Sequence, residues 1–117
     1  MSRPPGLVYL ASPRPPAILS VAPIREAVAS LRASGMSVAF WADEFARVGI
    51  TPDDLSRADP ERVAVAAGRC VQLLSRAEQV LVWPGTGDCP TGRAVLMIAQ
   101  AFQVPIAPFA PKMPIAA

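Results

Sequence analysis

The side chains of this sequence that could do chemistry fall in three short stretches, and each stretch overlaps or follows the end of an apolar run. The stretches are residues 12–16, 41–44 and 84–89. They carry two hydroxyls, three carboxylates and a thiol. The chain has no histidine, which excludes imidazole zinc sites and histidine-based catalytic triads. We therefore expect no metal and no other cofactor, and any catalysis would depend on a carboxylate or a thiolate.

The third stretch could bind an anion. Residues 84–88 read Pro-Gly-Thr-Gly-Asp and precede a predicted helix, so backbone amides there could hold a negatively charged group. The Gly-Lys-Ser/Thr of a phosphate-binding loop is missing, and a flexible turn is the alternative. Arg93 falls in the first helical turn, where a cation opposes the helix dipole. It either reaches an anion or a carboxylate, or is simply exposed to solvent.

Cys89 is a second possible nucleophile in the same stretch. A helix N-terminus can lower the pKa of a thiol, but the sequence supplies no histidine to act as its base. Cys70 falls on an apolar helix stripe, and we expect it to be inert.

Size and composition predict one globular domain, covering residues 1–117. Only 17% of the residues are charged and the net charge is +2, which argues against disorder and against binding to a nucleic acid polymer. The opening residues resemble neither a signal peptide nor a membrane span. We expect a cytoplasmic protein with reduced thiols and no membrane partner.

Apolar runs alternate with helical patterns along the chain. Strands are predicted at residues 6–11, 36–41, 79–83 and 104–107, and main helices at 23–35, 60–76 and 91–102. The last helix should turn Val95, Ile98, Ala99 and Phe102 inward. A connection runs from 42 to 59, with one or two helical turns from Thr51, and residues 108–117 form a loosely ordered tail. This order predicts a small Rossmann-like α/β fold, with a doubly wound, mainly parallel four-stranded sheet flanked by about three main helices.

Ligands of such sheets bind beyond the carboxyl ends of the strands, where the strand order reverses. The three chemically active stretches fall at these ends. The sequence therefore predicts that they assemble one site.

The first strand has a specific pattern, Tyr9-Leu10-Ala11-Ser12-Pro13. It resembles the nucleoside 2-deoxyribosyltransferase superfamily, and especially its small phage and bacterial relatives, which begin Y-L-A-[GS]-P. The steps Gly35-Met36, Thr91-Gly92 and Val104-Pro105-Ile106 also fit the family's order of elements. The likeness extends over essentially the whole domain, although only the first motif is specific.

The resemblance implies a nucleophilic glutamate on the helix after the third strand, which attacks the anomeric carbon of the sugar. Two ways of aligning that helix place the position at Val95 or at Leu96, and no Asp or Glu follows Asp88. Asp88 is the candidate catalytic residue in the glutamate's place. A loop that is rich in glycine and proline would, however, position a nucleophile less rigidly than a helix does.

Two functions remain open from the sequence. One is a nucleoside- or nucleotide-binding domain without the nucleophile, and the alternative is an active N-glycosidase or deoxyribosyltransferase-like enzyme that uses Asp88 or a water held by Asp43 or Glu44. A structural protein with a vestigial pocket is a third possibility. The resemblance also implies a homo-oligomer. The predicted ligand-binding residues are Ala11, Ser12, Pro13, Trp41, Asp43, Gly85, Thr86, Gly87, Thr91, Gly92 and Arg93.

Trp41 and Trp83 are predicted at strand ends. Either ring could stack on a base, worth about 1–3 kcal/mol, although for Trp83 core packing is the favoured interpretation. Asp43 could instead belong to a solvated loop.

Overall fold

A computed structural model describes residues 6–111 of the chain, which form a four-stranded parallel sheet with helices on both faces. The strands are β1 (Leu7–Ala11), β2 (Ser37–Phe40), β3 (Gln79–Val82) and β4 (Ile106–Pro108). The α-helices are α1 (Ala22–Ala33), α2 (Trp41–Arg47), α3 (Pro60–Arg76) and α4 (Pro90–Ala101), and 3-10 helices span Pro52–Arg57 and Thr86–Asp88. The predicted α/β fold class is confirmed.

The sheet order β2-β1-β3-β4 reverses direction between β1 and β3. From β1 the chain crosses to β2 on one side, and from β3 it crosses to β4 on the other. Right-handed crossovers then place α1 on one face and both α3 and α4 on the opposite face. The carboxyl ends of β1 and β3 are therefore neighbours at the point where the strand order reverses.

Side chains of β1 show which helix covers each face. Tyr9 pairs in register with Val80 on β3, both are buried, and Tyr9 reaches Cys70 on α3. Phe40 on β2 pairs with Leu10, the residue after Tyr9. Its ring centroid lies 6.0 Å from the guanidinium carbon of Arg25 on α1. Because side chains alternate across a strand, the core has one layer beneath α1 and another beneath α3.

The long helix α3 begins and ends where the sequence predicts. Pro60 occupies its first turn, and the Asp59 carboxylate accepts a hydrogen bond from the Glu61 amide at 3.3 Å. Such a cap satisfies one of the amides that have no partner inside the helix. The stripe that includes Ala66 and Leu74 is buried against the sheet.

Trp41 corrects the predicted end of the second strand. β2 stops at Phe40, and Trp41 is the first residue of α2, which occupies the start of the predicted 42–59 connection. Asp43 and Glu44 fall in the first turn of α2, where negative charge is favourable to the helix dipole. The helical turn predicted from Thr51 is present as the 3-10 helix Pro52–Arg57.

The end of α4 also differs from the prediction. Phe102, predicted to face inward, is 46% exposed because α4 has ended and the chain turns at Gln103, which has a φ of 58°. Val104 is the residue that is buried there. The fourth strand begins at Ile106 rather than Val104, and it is an edge strand that pairs with β3. Of the predicted tail, residues 112–117 lie outside the described part of the chain.

Candidate functional site

The loops that follow β1 and β3 are joined to each other at the point where the strand order reverses. The amide of Trp83 donates to the carbonyl of Ala11 at 2.9 Å, and the Thr86 hydroxyl lies 3.2 Å from the same oxygen and 2.6 Å from the carbonyl of Trp83. Thr86 is completely buried. Its hydroxyl therefore holds the two strand ends together, and it does not face solvent.

Gly85 and Pro13 form the next contact between these loops. Gly85 has a left-handed φ of +87°, and a Cβ there would lie 3.7 Å from the Pro13 ring. A left-handed conformation favours glycine. Two of the predicted site residues are therefore adjacent.

Trp41 is buried beside the candidate site and is not an open stacking platform. Its Nε1 donates to the Ser12 Oγ at 2.9 Å, and its ring meets those of Phe40 and Phe45 edge-on, with centroids 5.7 Å apart in both pairs. The side chain is only 1% exposed. The guanidinium of Arg14 lies over the indole, 4.8 Å from the ring centroid.

Arg14 is the residue that our sequence analysis missed. It follows Ser12-Pro13 directly and lies over both Trp41 and Phe45. The available signal was its position, since it is the first cation after the first predicted strand. No carboxylate within residues 6–111 forms an ion pair with it.

Cys89 precedes α4 at the N-cap position, where its thiol lies near the amides of Thr91 and Gly92 but forms no capping hydrogen bond within the described residues. Burial raises the pKa of this thiol, but the nearby backbone amides of Gly92, Arg14 and Thr91, together with the Thr91 hydroxyl, outweigh burial and lower the pKa below its ordinary value. Cys89 is buried, at 5% exposure. The amides at this helix N-terminus therefore face a protein thiol.

Gly92 is needed for packing at the same helix end. A Cβ on Gly92 would collide with the carbonyl of Thr86. Thr91 and Arg93 are exposed beside it, and Arg93 Nη1 donates to the carbonyl of Gly87 at 3.3 Å.

The predicted carboxylates are placed very differently from one another. Asp88 is exposed on the loop after β3, and it takes part in no side-chain hydrogen bond or ion pair within the described range 6–111. Asp43 instead lies between Arg32 at 2.8 Å and Arg25 at 3.4 Å, both on α1. It is thus held on the α1 side and not with the β1 and β3 loops.

Glu44 is nearly buried, at 6% exposure, and it is paired with Arg69 at 3.4 Å and Arg47 at 3.5 Å. The Glu44 carboxylate is thus neutralised by two guanidinium groups. Asp88, in contrast, is exposed and forms no ion pair within the described residues.

The interior beside the site contains a hydroxyl with an unusual environment. Tyr9 is 1% exposed, and its OH has no hydrogen-bond partner among the described residues. Burial raises the pKa of Tyr9 strongly, and the neighbouring Cys70 thiol raises it further, whereas Arg14 opposes the shift. Burial likewise raises the pKa of Cys70.

Helix α4 supplies apolar side chains where the resemblance implies an acid. Val95 and Leu96 are both half-buried, and Val95 packs against the core. The helix contains no Asp or Glu along its length.

The structure brings together most of the predicted site. The residues that meet around the ends of β1 and β3 are Ala11, Ser12, Pro13, Trp41, Gly85, Thr86, Gly87, Asp88, Thr91, Gly92 and Arg93. Of these, the exposed residues are Gly85, Gly87, Asp88, Thr91 and Arg93.

Comparison with known proteins adds no assignment, because no protein-family model matches the chain and no curated protein matches it either. Within residues 6–111, no helix is long and apolar enough to cross a bilayer. The same residues contain no cluster of three metal-ligating side chains drawn from His, Cys, Asp and Glu.

Proposed function

We propose that this domain binds a nucleoside or nucleotide at the junction of the loops after β1 and β3, without forming a covalent sugar intermediate. The observation that carries the proposal is the convergence of these loops at the reversal of strand order, which is where open parallel sheets bind ligands. The nucleoside class comes from the resemblance of Tyr9–Pro13 to the nucleoside 2-deoxyribosyltransferases.

The side chains on α4 support binding over covalent transfer. A covalent mechanism needs a carboxylate held at attack distance from the sugar carbon. Val95 and Leu96 occupy the two helix positions that match the family's glutamate. Glu44 forms ion pairs with two arginines and Asp43 with two others. Neither carboxylate is therefore free to act in place of the family's glutamate.

An enzymatic function is the second candidate, and Asp88 favours it because this carboxylate is exposed and forms no ion pair within residues 6–111. A carboxylate that stabilises an oxocarbenium-like transition state and activates a water can support hydrolysis. Asp88 lies on the 3-10 turn Thr86–Asp88, beside the proposed ligand.

Incubation with a panel of deoxynucleosides and their 5′-monophosphates tests both functions. Binding is measured by calorimetry, and release of free base by chromatography. Saturable binding without base release supports the binding function. Base release that is abolished by Asp88→Asn and kept by the matched Asp53→Asn, an exposed acid on another 3-10 turn, would replace the binding function with the enzyme. If no compound binds and none releases a base, both functions are contradicted and the interpretation as a structural protein with a vestigial pocket is favoured.

Self-association is also proposed. β4 is an edge strand, and apolar side chains of Met97, Phe102 and Ile106 are exposed on or near α4 and β4. Unpaired edges and exposed apolar groups favour contacts between chains. Light scattering after gel filtration tests this: a particle mass of about 12.3 kDa would contradict it.

We further propose a cytoplasmic location. Cys70 and Cys89 are free thiols, as is usual for proteins in a reducing compartment. Fractionation of cells with rapid alkylation tests this, and recovery in an oxidised extracellular fraction would contradict it.

A further inference from the structure

We propose that Arg14 is the anchor for a phosphate group, and that this anion site belongs to the ligand-binding junction of the loops after β1 and β3. The nucleotide identity of the ligand rests on the proposed function, whereas the anion site itself rests on the observations below. The phosphate could be free or part of a nucleotide.

The position of Arg14 is the first observation. It lies in the loop that follows β1, at the edge where the loops after β1 and β3 meet. Its guanidinium carbon is 4.8 Å from the ring centroid of Trp41 and 5.0 Å from that of Phe45. A guanidinium packed against aromatic rings is held in place while its N–H donors remain in its own plane. The rings therefore orient Arg14 without using its donors.

The charge of Arg14 is also uncompensated. Five other arginines form ion pairs with carboxylates: Arg25, Arg32, Arg47, Arg57 and Arg69. Arg14 forms none with any carboxylate in the described part of the chain, although it is half-buried. A partly desolvated cation with planar donors is well suited to an oxyanion, which it can bind with two parallel hydrogen bonds.

The Tyr9 hydroxyl is the second and independent observation. It is buried, it has no partner within residues 6–111, and it lies next to Arg14 and Cys70. Buried hydroxyls are normally satisfied, and leaving one without a partner is costly. An oxyanion held by Arg14 would accept from this hydroxyl as well. A phosphate, with several acceptor oxygens, can engage both groups at once.

Trp41 itself provides the readout. The chain has two tryptophans, so Trp83→Phe leaves Trp41 as the sole indole, with Arg14 over its ring. Inorganic phosphate, a deoxynucleoside and its 5′-monophosphate are each titrated while Trp41 emission is recorded. The same ligands are tested with the unmodified protein by calorimetry, which does not depend on how Trp83→Phe folds.

We expect phosphate and the monophosphate to change Trp41 emission saturably, and the monophosphate to bind at least tenfold more tightly than the nucleoside. Arg14→Gln should abolish the phosphate response and the tenfold preference. Arg14→Lys, which keeps the charge but not the planar donors, should retain part of the phosphate response and part of the preference for the monophosphate. The matched control is Arg62→Gln, since Arg62 is exposed on α3 and forms no ion pair within the described residues. It should bind like the unmodified protein.

The outcomes separate the two proposals. If the nucleoside binds as tightly as the monophosphate, and Arg14→Gln changes neither affinity, the anchor is overturned while nucleoside binding stands. If phosphate binds and Arg14→Gln abolishes it, but the nucleoside adds nothing to affinity, the anchor stands while the nucleotide function fails. If neither phosphate nor monophosphate binds to the unmodified protein, the anchor is overturned.

Discussion

The indole nitrogen of Trp41 donates a 2.9 Å hydrogen bond to the hydroxyl oxygen of Ser12, and this bond ties the first residue of α2 to the end of β1. Both residues are buried. Because Arg14 lies on the same indole, the bond also fixes the surface on which the proposed phosphate anchor rests. One buried hydrogen bond between residues 29 positions apart thus links the fold to the candidate site.

Ser12→Ala should lower the free energy of unfolding by about 1–3 kcal/mol, because it leaves the buried Trp41 N–H without an acceptor. Urea denaturation measures the loss. A double-mutant cycle with Trp41→Phe should give a coupling energy of about 0.5–3 kcal/mol. Ser75→Ala is the control, since that exposed hydroxyl donates to a carbonyl on its own helix and should change stability by less than about 0.5 kcal/mol. Additive effects of Ser12→Ala and Trp41→Phe would contradict the link.

The two helical glycines should respond to alanine in opposite directions. In Gly92→Ala the new methyl group meets the carbonyl of Thr86, whereas in Gly68→Ala, within α3, it meets nothing within 4 Å. We expect Gly92→Ala to destabilise by about 1–3 kcal/mol through overpacking. Gly68→Ala should stabilise by up to about 1 kcal/mol through helix propensity. Thermal melts of the two variants, run together, measure both effects, and equal melting temperatures would contradict this account of Gly92.

The sequence predicted the fold where local signals were strong. Asp59-Pro60-Glu61 marked the start of α3 and the apolar run 79–83 marked β3, and both lie within a residue of their predicted bounds. α2 was missed because the apolar run 36–41 continues without a break into its first residue, Trp41. A buried strand followed at once by a buried helix has no change in hydropathy at their boundary.

The sequence predicted that the residues of the candidate site lie near one another, but it did not predict their contacts. That the stretches after β1 and β3 adjoin follows from the topology of parallel sheets. The roles of Thr86 and Arg14 depend on contacts that are distant in sequence, such as the one between Thr86 and Ala11. The pairing of Asp43 with α1 depends likewise on how α2 packs. Residue types at strand ends do not reveal which polar groups already have partners.

Tyr9→Phe should stabilise the domain and weaken phosphate binding. Removing the unpartnered hydroxyl removes its burial cost, which should raise the free energy of unfolding by about 1 kcal/mol. The same change removes one donor from the proposed anion site, so phosphate affinity should fall while stability rises. Urea denaturation and phosphate titration of the same sample measure both. Lower stability for Tyr9→Phe would show that the hydroxyl has a stabilising partner.

The stability of the domain should also fall at high pH because of Tyr9. Burial raises the folded-state pKa of Tyr9 above its ordinary value of 10.0, so the folded protein keeps the proton that the unfolded chain loses. This contribution is complete below pH 10 and is lost as pH rises further, by at most about 1.4 kcal/mol per pH unit. Tyr9 is the only tyrosine, so tyrosinate absorbance should appear together with unfolding. Ionisation while the protein stays folded would contradict it.

The two thiols should titrate on opposite sides of their common reference pKa of 9.0. Burial raises the pKa of Cys70, whereas the nearby amides of Gly92, Arg14 and Thr91 overcome burial and lower the pKa of Cys89. Cys70→Ala leaves Cys89 as the sole thiol. Cys89→Ser leaves Cys70, with serine, a good N-cap residue, kept at the helix start. Alkylation rates measured against pH should reach half their maximum below pH 9 for Cys89 and above it for Cys70.

The lowered pKa of Cys89 also predicts how stability depends on pH. A group whose pKa falls on folding contributes stability that is complete above its unfolded-state pKa and is lost as pH falls through the folded-state value. The Cys89 contribution should therefore grow as pH rises toward 9.0, and Cys89→Ser should remove that rise. Urea denaturation of the unmodified protein and of Cys89→Ser across this pH range measures the difference, and the same pH dependence in both proteins would contradict the lowered pKa of Cys89.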